Sequence, residues 1–117
     1  MPVLCDFIQI VGDASQAIPQ TAAGAEVPLP DFNTGGREAG STALLVYSAR
    51  NLAGSAQVFI NNHNVGTITA TSGTVSSTQL IAVSGNQLNN GNNEIVLRNV
   101  TDPFTIKDLI CFFHQSA

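Results

Sequence analysis

No window of this chain holds a helical period. Short apolar runs instead alternate with clusters of Gly, Asn, Ser and Thr. An amphipathic helix needs apolar residues at i, i+3, i+4 and i+7, whereas a half-buried strand needs them at every second position. Thr42–Ala49 (TALLVYSA), Ala56–Ile60 (AQVFI), Val65–Thr71, Thr78–Val83 and Asn93–Val100 fit the strand pattern. Between them lie Asn51–Ser55, Asn61–Asn64, Ser72–Ser77 and Ser84–Asn92, rich in residues that tolerate left-handed backbone. Strands recurring about every 8 to 12 residues predict an all-β fold, a two-sheet antiparallel β-sandwich of roughly seven to nine strands. Jelly-roll topology is preferred to an immunoglobulin-type sandwich, whose Trp and mid-strand cysteines are missing. At 117 residues, positions 1–117 are expected to form one domain.

The ends of the chain are less regular. In Val3–Val11, alternation puts Val3, Cys5 and Phe7 on one face and Leu4, Ile8 and Ile10 on the other. Both faces are apolar, which predicts a strand buried on two sides or covered by a partner chain. Pro28 and Pro30 bracket an extended stretch, since Pro fixes φ and biases its predecessor away from helix. Short strands are expected around Ile18–Thr21 and Glu26–Leu29, followed by a loop over Asp31–Glu38. Phe104–His114 closes the chain as one bent strand or two short ones.

Only 10% of the residues are charged and the net charge is −4, while Asn, Thr, Ser and Gln make up 37 of 117. Four basic residues are too few for a nucleic-acid footprint, which needs clustered Lys and Arg against phosphates. No stretch reaches the roughly 20 apolar residues of a membrane-spanning helix, so membrane insertion is not expected. The first residues lack the basic region and small-residue cleavage site of a signal peptide, although the composition suits an extracellular or particle surface. Cys5 and Cys111 sit in apolar runs near opposite ends. They predict either two buried thiols or a disulfide closing a loop of about 105 residues, which would add roughly 4 kcal/mol.

Three segments resemble a known family. Ala56–Gly66 (AQVFINNHNVG) resembles the strand–turn–strand "VxVNGxxVG" of galactose-binding-like jelly rolls, the carbohydrate-binding modules attached to many glycosidases. Leu88–Ile95 (LNNGNNEI) is similar to their "LxxGxNxI" segment, and Phe104–Ile110 (FTIKDLI) to their closing "FxIDxI" strand. The resemblance implies a jelly roll that binds sugars without catalysis. It also implies a structural calcium between first and last strands, for which Asp6 and Asp108 stand at comparable places. Two departures are plain: Asn-Asn-His-Asn replaces the usual Asn-Gly turn, and the chain has no Trp and one Tyr.

Catalysis is not expected. The eight acids are scattered, and Cys111 and His114 fall on opposite faces of a strand. The best ligand candidates are Asp31, Asn33, Arg37 and Glu38, whose carboxylates, amide and guanidinium suit sugar hydroxyls. The amide-rich turns add Asn61 and His63. Two functions follow. One is a lectin-like module recognising neutral glycans through polar loop residues, gaining avidity as a homo-oligomer. The other is a structural or assembly subunit, such as a phage tail or fibre component or a capsid-like or filament jelly roll, whose partner is a copy of itself.

Overall fold

Strict alternation makes Thr42–Arg50 a strand with two unlike faces. Ala43, Leu45, Tyr47 and Ala49 point into the core, while Leu44 and Val46 point out. The same logic runs through the chain. The computed structural model describes residues 3–71 and 73–116. In chain order the strands are β1 (Val3–Val11), β2 (Gln16–Ile18), β3 (Glu26–Asn33), β4 (Thr42–Arg50) and β5 (Ala56–Ile60). They continue as β6 (His63–Ile68), β7 (Ser77–Ser84), β8 (Asn92–Arg98) and β9 (Phe104–Ser116). A short 3-10 turn at Gly85–Gln87 lies between β7 and β8.

Two antiparallel sheets face each other. One runs β1-β9-β4-β7, with β2 also on β9, and the other runs β3-β8-β5-β6. The core between them includes Leu45, Ile60, Ile95, Leu97, Ile106 and Leu109, each almost wholly buried. Except for the β5–β6 hairpin and the β1–β2 link along β9, consecutive strands lie in different sheets. The all-β sandwich expected from the turn spacing is therefore the observed architecture.

Several boundaries differ from the sequence expectation, each for a physical reason. Asp31 to Asn33 belong to β3 rather than to a loop, because Phe32 is buried and pairs with Asn93 of β8. The β5–β6 turn needs only Asn61 and Asn62, both at positive φ, so His63 begins a strand. β9 is one strand of 13 residues with a register irregularity at Asp108, which takes φ 53°. β1 is an edge strand: Ile8 and Ile10 turn inward, but Cys5 and Phe7 lie on an open outer face. Cys5 stands opposite His114, whereas buried Cys111 stands opposite Ile8 one face away. Both cysteines are free thiols, so the disulfide alternative is set aside, and of the two thiols only Cys111 is buried.

Candidate functional site

The sequence-predicted ligand residues in 31–38 make hydrogen bonds within the chain, with Asp31 and Asn33 exposed and Arg37 and Glu38 half-buried. Asn92 donates to Asp31 Oδ2 at 3.1 Å, and the Gly35 amide donates to Asn33 Oδ1 at 2.8 Å. Arg37 is half-buried and donates from Nε to the Leu88 carbonyl at 2.7 Å. Glu38 Oε2 accepts from the Ser116 hydroxyl at 2.6 Å, and that bond, helped by the Gly40 amide, holds its carboxyl below the usual range.

Asn93 organises this end of the sandwich. It is fully buried, donates to Phe32 O, Thr34 Oγ1 and Gly91 O, and accepts from Asn61 Nδ2 and the Asn89 amide. Asn61 also donates to Gln87 O and accepts from the Glu94 amide. The structure thus ties Asn61 to the 31–38 segment through Asn93, but as a scaffold. His63 is exposed at the start of β6, apart from that network. Asp6 accepts from the next amide, Phe7, and pairs with Phe113, five residues along β9 from Asp108. At about 3.3 Å per residue the two acids are roughly 17 Å apart, which is no shared coordination sphere. Among the described residues no three of His, Cys, Asp or Glu gather as a metal-binding group.

A constellation the sequence did not single out lies on the outer face of the β3-β8-β5-β6 sheet. A cleft of about 190 Å³ is lined by Glu26, Phe59, Asn62, Glu94, Val96 and Arg98. Pairing puts Glu26 beside Arg98 across β3–β8 and Phe59 beside Val96 across β5–β8. Arg98 holds the centre. Its Nε donates to Glu26 Oε2 at 3.1 Å, its Nη2 donates to Asn62 Oδ1 at 2.9 Å, and its guanidinium covers the Phe59 ring at 4.4 Å. Glu94 stands exposed at the rim. The cleft therefore offers two carboxylates, an amide and a fixed guanidinium beside the apolar Val96 and the flank of Phe59. It presents acceptors and donors to hydroxyl groups, and the face of its one aromatic ring is taken. The outward placement of Val96 and Arg98 is legible from alternation in Asn93–Val100. Their company is not, because it depends on which strands pair.

The opposite outer face, on β1-β9-β4-β7, is apolar. Phe7, Phe112, Leu44 and Ala82 form one row across the four strands, and Gln9, Ile110, Val46 and Leu80 form the next. Phe7 and Leu80 are 62% and 64% exposed, and the Phe7 and Phe112 rings lie 6.1 Å apart. A search of protein-family models and of curated proteins gave no match to this chain.

Proposed function

We propose that this chain is a non-catalytic, lectin-like carbohydrate-binding module of jelly-roll topology that takes a neutral sugar in the Glu26–Glu94–Arg98 cleft. The cleft itself carries the proposal: two carboxylates, an amide and a guanidinium held in place converge beside apolar atoms. That is the chemistry a pyranose needs, hydrogen bonds around the ring edge and carbon contacts along one side. The finer topology is supported by the sheet orders β1-β9-β4-β7 and β3-β8-β5-β6, with most links crossing between sheets as in paired Greek keys. With no open aromatic face, binding is expected in the millimolar range. The test is a titration with galactose, glucose and mannose followed by amide NMR shifts. Shifts are expected around Phe59, Asn62 and Glu94–Arg98, and Glu94→Ala should abolish them with the fold intact. No shift with any of the sugars at roughly 50 mM, where even a Kd near 10 mM is mostly saturated, would sink the proposal.

A second reading, assembly through self-association, is favoured by the apolar outer face. Four strands about 4.8 Å apart and two outward rows about 6.8 Å apart give a plane of roughly 260 Å² per copy. Two such faces bury roughly 520 Å², below the roughly 1,000 Å² of a specific dimer, so the association expected is weak and concentration-dependent. A two-fold axis along the strands sets β1 over the partner's β7, so each large Phe7 meets a small Ala82. Sedimentation velocity should show mass rising above 12.2 kDa with concentration, and Leu80→Lys should hold the chain monomeric. A monomer at every concentration up to about 1 mM removes this reading.

A further inference from the structure

Beyond the apolar rows, the same outer face changes character. Ser48 and Arg50 of β4 and Thr105 and Lys107 of β9 project from a two-by-two block: Ser48 pairs with Lys107 and Arg50 with Thr105. The two cations therefore sit on one diagonal and the two hydroxyls on the other. Diagonal positions of paired strands are roughly 7 to 8 Å apart, close enough for both long side chains to reach one group between them. Ser15 and Ser76 complete the wall of a hollow of about 110 Å³. A water takes about 30 Å³ in the liquid, so the hollow has room for a group of several heavy atoms.

The charge inventory makes this place unusual in the molecule. The chain has four basic residues. Arg37 is committed to the Leu88 carbonyl, and Arg98 to Glu26 and Asn62. The other two are Arg50 and Lys107, and both line this hollow. Among the described residues Arg50 has a neutral partner there, its Nε donating to Thr105 Oγ1 at 3.2 Å. Lys107 has Asp13 at 3.9 Å, but the Asp13 side chain is 95% exposed, and such a pair is weak and readily exchanged.

We propose that the Arg50–Lys107 hollow is a binding site for a tetrahedral oxyanion, a phosphate or sulfate group. The Arg50 guanidinium supplies a planar fork and Lys107 a compact charge. The Ser48 and Thr105 hydroxyls, with Ser15 and Ser76 at the wall, can each donate one hydrogen bond to the remaining oxygens. Asp13 is the competitor: it holds Lys107 when the hollow is vacant and swings into water when an anion enters. The site is on the other sheet from the Glu94 cleft, so the two are read separately.

The test is a titration of the ¹⁵N-labelled full chain with sodium sulfate, sodium phosphate, glucose 6-phosphate and glucose, each against sodium chloride at equal ionic strength. Sulfate and phosphate should give saturable amide shifts at Ser15, Ser48–Arg50, Ser76 and Thr105–Lys107. Arg50→Gln and Lys107→Gln should each weaken binding by about tenfold, and Asp13→Asn should tighten it. All three positions are on the surface, so circular dichroism should confirm an unchanged fold. Glucose 6-phosphate binding more tightly than inorganic phosphate would identify a phosphorylated sugar as the source of the group. Equal affinities would identify a free anion, and either result supports the site. Shifts that do not saturate, or that survive both Arg50→Gln and Lys107→Gln, overturn it. Glucose alone should leave these residues still, whatever it does at the Glu94 cleft.

Discussion

Asn93 has no solvent exposure, and its amide links Phe32, Thr34 and Gly91 on one side with Asn61 and Asn89 on the other. Truncating it strands donors and acceptors from β3, the segment after it, the β5–β6 turn and the loop before β8. Asn93→Ala is therefore expected to cost roughly 2 to 4 kcal/mol, measured by urea unfolding. Gly85 is a second pressure point. A Cβ there would lie 2.3 Å from the Ser41 carbonyl oxygen and 2.5 Å from that of Glu38, and backbone cannot step aside as a side chain can. Gly85→Ala should cost roughly 2 kcal/mol or more in the same assay. At this scale the sequence is hard to read. Asn61, Asn93 and the acids and amides of 31–38 have the composition of a ligand site, and an amide facing inward is spelled the same way as one facing water. Only strand pairing distinguishes them, and pairing joins residues about 30 to 60 positions apart.

At the level of elements, much more was legible. Alternation identified β4, β5, β7 and β8, because one face of each is buried and the other is not, whereas β6, expected at Val65–Thr71, runs His63–Ile68 with Ile68 alone buried. The misses fall where that contrast fails. β3 carries two prolines and an irregular register near Pro30, so its period is broken; β1 spans Val3–Val11 as expected, with its Cys5 and Phe7 face open. In β9 the register irregularity goes with a backbone angle that leaves no periodic trace. Asp108 tolerates positive φ because its short polar side chain is adaptable, and its amide bonds the Gly12 carbonyl at 3.0 Å. A β-branched residue there is strained. Asp108→Val should lower stability by about 1 to 3 kcal/mol, with Asp108→Gly close to neutral, read as shifts in the thermal midpoint.

The two outer faces of the molecule differ in chemistry. One sheet turns a polar cleft outward, the other an apolar face with a charged hollow at one end. Between them the core holds two ionisable groups. Burial pushes the Cys111 thiol and the Tyr47 phenol each up to about 12. Unfolding returns them to ordinary values near 9 and 10, so above about pH 9 the unfolded chain releases protons that the folded one keeps. Stability should be flat in this respect below pH 9 and fall as pH rises from 9 to 12, by at most roughly 1.4 kcal/mol per pH unit for each group. Urea midpoints across that range check it. Thiol labelling offers a companion test: exposed Cys5 should react at once, and Cys111 only as the chain opens.

The pairing of Val3 with Ser116 has a consequence for how this unit can be used. Val3 of β1 and Ser116 of β9 lie on adjacent strands about 5 Å apart, so links made to these two residues leave the sandwich at one place. Such a unit can be spliced into a surface loop of a host protein without prising the loop open. It can also be recut: joining the ends with a few glycines and opening the exposed Gly73–Ser76 turn should give a permuted chain that folds to the same two sheets.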